Sequence, residues 1–193
     1  GVASGDPLPD RVVLWTRVTP SREALPGSGL GEDVELEWQI DTSEDFGNPQ
    51  TGTVTTSADS DHTVHVDPDG LEPATEYFYR FIVKSGEFEG ATSPVGRALT
   101  APEADASVDN LNLAIASCAN WESGFFAAYG DMAQRARGGE IDHVVFLGDY
   151  IYEYPTGEYA GKSGVARMHH PEWEITTLED YRQRHGRYRT DLN

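Results

Sequence analysis

Gly70-Leu71-Glu72-Pro73-Ala74-Thr75-Glu76-Tyr77-Phe78-Tyr79-Arg80 is the stretch on which the reading of the first half turns. A leucine and a proline make a corner, and an alternating run leaves it with a tyrosine near its start. In β-sandwiches such a tyrosine returns its hydroxyl to the backbone of the corner and pins one end of the two sheets. Tyr77 is therefore expected at the corner, on a strand from Glu76 to Lys84. Outward from it, Arg11 to Val18, Val34 to Ile40, Thr51 to Thr56, His62 to Val66 and Arg97 to Thr100 are strand-like runs divided by Pro-Gly, Asp-Gly and Ser-Gly turns. Gly1 to Pro7 reads as the end of a strand and a turn. The spacing predicts an immunoglobulin- or fibronectin-like β-sandwich over residues 1–105, with Trp15 and Trp38 filling its core.

Past Ala101 the pattern changes in kind. Residues 101–110 are small, acidic and Pro-containing, as a linker is. Leu111 to Ser117 then reads as an apolar strand, Phe125 to Arg137 has helical spacing, Gly138-Gly139 ends the helix, and Ile141 to Leu147 is a second apolar strand. Strand, helix and strand at this spacing make a parallel βαβ unit. Residues 155–175 form a polar loop rich in Gly, Pro and His, and Thr176 with Glu179 is the expected capping box of a final helix running to about Arg189. The fold class is thus two-domain, β then α/β. Two parallel strands and one trailing helix cannot cover both sheet faces, so residues 106–193 are expected to be the start of a longer doubly wound domain.

The formal net charge of -19, from 33 acidic side chains against 14 basic ones, repels nucleic acid and anionic lipid, and no nucleic-acid-binding surface is expected. The acids read as solvated surface charge, the alternative being that some clusters hold cations. No apolar run is long enough for a membrane span. The single cysteine, Cys118, excludes an internal disulfide framework. Arg182, Arg184, Arg187 and Arg189 crowd onto the last helix, either as a solvated face paired to acids or as a lure for an anionic ester. His169 and His170 read as loop-surface or lid residues, and His62, His65, His143 and His185 as structural or exposed.

Ligands of an open parallel sheet gather outside the carboxyl ends of its strands. The first of these strands ends at Cys118 and the second at Gly148-Asp149, so a thiol and a carboxylate are expected at one edge. A turn after Asp149 returns Tyr152 toward the same place, and Gly148 suits a backbone that passes close to a metal or phosphate. Each of these residues alone has an ordinary structural reading; their joint placement is the signal. Thiolate, carboxylate and phenolate together suit a strongly charged transition ion, and a carboxylate can bridge to a harder ion such as calcium. Two ions so placed serve phosphate-ester hydrolysis. Asn120, two residues past Cys118, is a candidate hydrogen-bond donor to a phosphate oxygen.

Gly1-Val2-Ala3-Ser4-Gly5-Asp6-Pro7, Val13-Leu14-Trp15-Thr16-Arg17, Ala116-Ser117-Cys118-Ala119-Asn120-Trp121, Leu147-Gly148-Asp149-Tyr150-Ile151-Tyr152-Glu153 and Thr177-Leu178-Glu179-Asp180-Tyr181-Arg182 together resemble the alkaline phosphatase D (PhoD-like) family, nearly end to end. The resemblance implies an immunoglobulin-like domain ahead of a metallophosphatase domain, a ferric iron and calcium centre, and secretion to the periplasm or beyond by the twin-arginine route. It implies Cys118, Asp149 and Tyr152 as iron ligands, with Asp149 also bridging to calcium. It further implies an alkaline phosphatase or phosphodiesterase acting on a small phosphate ester or phosphodiester through a metal-activated water. The family's later asparagine, aspartate and histidine ligands have no counterpart here, so this stretch alone is expected to be inactive. Two alternatives stay open: a non-catalytic extracellular binding or adhesion module, and a related metallophosphatase using zinc or manganese.

Overall fold

The computed structural model describes residues 1–193. They divide into two compact units, Gly1–Val108 and Asp109–Asn193.

The first unit contains seven strands: β1 (Val2–Leu8), β2 (Arg11–Arg17), β3 (Val34–Asp41), β4 (Gln50–Thr56), β5 (Thr63–Val66), β6 (Glu76–Val83) and β7 (Gly96–Leu99). They form two antiparallel sheets, ordered β1-β2-β5 and β4-β3-β6-β7. Strand alternation decides what lies between the sheets: Val12, Leu14 and Thr16 of β2 are buried, as are Tyr77, Tyr79, Phe81 and Val83 of β6. With Val34, Leu36, Ile40, Val64, Leu71 and Ala98 they make one core. Each large apolar side chain fully buried there contributes about 1.5–3 kcal/mol. The chain is thus an immunoglobulin/fibronectin-type sandwich at this end, and what reads as a strand end and turn over Gly1 to Pro7 is the full strand β1 from Val2, since Val2, Ala3, Ser4 and Gly5 pair with Thr16, Trp15, Leu14 and Val13.

The corner is built as the sequence predicts. The Glu72 amide donates to the Tyr77 hydroxyl across 2.8 Å, and the Thr100 hydroxyl donates to the Glu72 carbonyl across 2.7 Å. The tryptophans differ from expectation. Trp38 faces inward and packs against the core while staying half-buried. Trp15, between the buried Leu14 and Thr16, points to the opposite face of its sheet and is likewise only half-buried. Period-two alternation overrides its size.

In the second unit β8 (Leu113–Ala116) and β9 (His143–Phe146) pair in parallel, joined by a crossover that contains α1 (Ala127–Arg137); α2 (Leu178–Tyr188) follows a long loop. Helix α1 starts two residues later than its spacing suggests, because Phe126 takes a left-handed conformation at φ 48°. The capping box of α2 is shifted by one residue: Thr177 accepts from the Asp180 amide and Asp180 accepts from the Thr177 amide. Asp180 also accepts from the Thr176 amide, so Thr176 sits outside the cap. A small aromatic core joins Ala119, Trp121 and Tyr188 to Phe126, Tyr129, Phe146 and Ile151. Leu113, Ile115, Val144, Val145 and Leu147 of the sheet stay exposed.

Candidate metal centre

Backbone pairing continues past the ends of β8 and β9 and carries the candidate residues with it. The Leu147 amide donates to the Ala116 carbonyl, the Cys118 amide to Gly148 and the Ala119 amide to Asp149, over 2.8–3.1 Å. Both strands then turn out of the ladder through strained backbone. Cys118 and Asp149 hold φ of 57° and 53°, a left-handed region costly for residues with a Cβ, and Gly148 holds φ 126°. Such strain persists only where the surrounding hydrogen bonds fix it, and here the ladder does so.

The three side chains meet at one carboxylate oxygen. The Cys118 thiol lies 3.6 Å from Asp149 Oδ2, and the Tyr152 hydroxyl donates to the same atom across 3.1 Å. Cys118 and Asp149 are exposed and Tyr152 is half-buried. The phenol of Tyr152 is pushed well above its ordinary range by burial first, then by its hydrogen bonds to Cys118 and Asp149 and by their charges. A cation among the three would reverse that effect, because positive charge favours thiolate and phenolate. Thiol, carboxylate and phenol are a donor set of the kind a highly charged transition ion takes.

Tyr152 is positioned by a residue that the sequence presents as part of a basic helix face. Arg184 is fully buried rather than solvated. Its guanidinium donates to the carbonyls of Tyr152, Tyr154, Pro171 and Trp173, tying the strand-end turn to the far side of the loop. Burial pulls its pKa down, and nearby phenol and carboxylate charges oppose the shift. The one hint in the sequence is that Arg184 shares a helix face with Tyr188, four residues on, whose hydroxyl accepts from the Trp121 amide.

Two further buried polar groups organise the loop. Glu122 accepts the amides of Gly157 and Tyr159 across 2.7 and 2.9 Å. His169 lies inside, not on the surface, with its Nε2 3.9 Å from Glu122. Burial, reinforced by Arg184 and partly opposed by Glu122, lowers its pKa to about 4, so it is neutral near pH 7. Glu122 escaped the sequence reading because it stands beside exposed-looking Ser123 and Gly124 with no periodic partner. Asn120 uses its carbonyl oxygen to cap the turn Trp121–Ser123, accepting from the Glu122 amide, and one N–H to reach the Tyr159 carbonyl at 2.9 Å.

No helix is long and apolar enough to cross a membrane. Residues 1–102 match the PhoD-like phosphatase N-terminal domain and residues 113–193 the PhoD-like phosphatase family. Over its full length the chain is 45% identical to alkaline phosphatase D of Bacillus subtilis (strain 168), covering 31% of that protein. It matches a solved structure of PhoD with a TM-score of 0.88 and 43% identity, across 100% of this chain and 35% of that one. The chain therefore spans about a third of the length of these relatives.

Proposed function

The chain belongs to the PhoD-like phosphatase family, and from that premise we propose that it forms the front of a secreted or periplasmic metal-dependent phosphoester hydrolase, exported by the twin-arginine route. The observation that carries the reading is the convergence of Cys118, Asp149 and Tyr152 on one oxygen at the carboxyl edge of β8 and β9. Residues 106–193 are read as the start of the metallophosphatase domain.

Cys118, Asp149 and Tyr152 would hold a ferric iron, and Asp149 would also serve calcium. What bound ions supply at such a site is screening of the phosphate charge and a more acidic water. The chain's own part is positional. The ladder across Ala116–Ala119 and Leu147–Asp149 fixes thiol and carboxylate, and Arg184 fixes the backbone of Tyr152. Asn120 retains one amide N–H beyond its Tyr159 contact, a donor for a phosphate oxygen. The exposed apolar side chains of β8 and β9 fit a domain whose sheet continues in a longer protein. Both phosphate monoesters and diesters are compatible with these residues. A purely adhesive module would have no use for a thiol and a phenol gathered on one carboxylate at the sheet edge.

Elemental analysis of the full-length protein and its Cys118→Ser variant tests the assignment. Iron should fall or change in Cys118→Ser with the β-sandwich intact, because a hydroxyl is a harder donor that rarely ionises. Unchanged iron and visible absorption would remove Cys118 from the site. The 193-residue chain alone, supplied with iron and calcium, should leave an aryl phosphate and a bis-aryl phosphodiester intact. Turnover matching the full-length protein would show that three ligands suffice.

A further inference from the structure

Tyrosines border the proposed metal edge, and we propose that Tyr159, backed by Tyr154, is a substrate-contact residue that selects phosphate esters whose alcohol carries a flat aromatic ring. The inference rests on the phosphoesterase reading above and names the substrate class of that same site.

The ring of Tyr152, whose hydroxyl meets Asp149, is nearly parallel to that of Tyr159, at 15° and 6.5 Å between centroids. Tyr154 lies against Tyr159 at 4.2 Å and 30°. The three rings form one wall that starts at the carboxylate and ends in solvent, where Tyr159 is 48% exposed. An exposed loop tyrosine is ordinarily mobile, but the backbone here is held on both sides. The buried Glu122 carboxylate takes the amides of Gly157 and Tyr159, and Asn120 donates to the Tyr159 carbonyl. A buried carboxylate is an expensive way to secure a surface loop. What this arrangement delivers outward is a ring already fixed beside the site, so little ordering entropy remains to be lost when a ligand stacks on it. The face suits a planar ring attached to phosphorus: the phosphate sits toward Asp149 and the ring lies along the wall. Stacking of this kind strengthens binding by about fivefold over a nonplanar group of equal size.

The test is calorimetric binding of phenylphosphonate and cyclohexylphosphonate to the full-length, metal-loaded protein. The two ligands share a charged head and differ in planarity. The wild type should bind the phenyl compound about fivefold more tightly. Tyr159→Ala should abolish that preference, the phenyl compound losing more affinity than the cyclohexyl one, and Tyr159→Phe should keep it. Equal affinities in the wild type, a preference that survives Tyr159→Ala, or an equal loss for both ligands would overturn the proposal. Because the readout is binding, a protein that prefers the phenyl ligand through Tyr159 yet hydrolyses no phosphate ester would retain the wall and sink the phosphoesterase reading. Turnover without the preference would do the reverse.

Discussion

Tyr152 donates its phenol proton to Oδ2 of Asp149 across 3.1 Å, three residues back along a turn that begins in left-handed backbone. The same oxygen lies 3.6 Å from the thiol of Cys118, so one atom gathers the two protons that a cation would displace. Tyr152→Phe removes the phenol without changing the ring. In the full-length protein we expect lower iron content and loss of visible phenolate-to-metal absorption, with the sandwich unfolding as before. Absorption identical to the wild type would exclude Tyr152 as a ligand.

Arg184→Leu should destabilise the second unit by about 3 kcal/mol or more, since four carbonyls lose a charged donor inside the protein. Amide exchange should rise across residues 152–154 and 171–173 and stay constant in the sandwich. Exchange spread evenly over the chain would mean that Arg184 is not the local tie.

His169 makes the second unit sensitive to acid. Its folded pKa, about 4, lies below the ordinary 6.5, so between these values the unfolded chain binds more protons. Stability is full above about pH 6.5 and is lost as pH falls toward 4, by on the order of 2–3 kcal/mol. Urea unfolding of wild type and His169→Gln across this window measures the contribution. A variant with the same pH slope would exonerate His169.

In the sandwich, Gly52 pairs across from Trp38, and a Cβ at that position would come within 2.5 Å of the indole. Gly52→Ala should therefore cost about 1–3 kcal/mol as the ring is forced aside. Denaturant midpoints for the variant, with Trp38 fluorescence as the probe, give the answer; a neutral result would mean that the indole moves freely.

Tyr77→Phe takes the acceptor from the Glu72 amide and should lower stability by about 0.5–1.5 kcal/mol. An unchanged chemical-denaturation midpoint would show that the corner does not depend on this bond.

The sequence by itself determined the two architectures, the corner tyrosine and the edge where Cys118 and Asp149 meet. Each depends on local period or on strand order, which the chain writes within short windows. Alternation marked the runs such as Arg11 to Val18 as strands without saying which phase faces in, and the ends of two apolar runs told where a parallel pair would leave its last residues. Only the tertiary structure decided that Trp15 faces outward, that Arg184 lies inside a knot of carbonyls, and that Glu122 and His169 are buried beneath a polar-looking loop. Those outcomes depend on partners far apart in sequence: Glu122 meets Gly157 and Tyr159, and Arg184 meets Tyr152 and Pro171. A charged side chain enters the interior only when distant backbone groups satisfy it, and no local pattern announces which distant groups those will be.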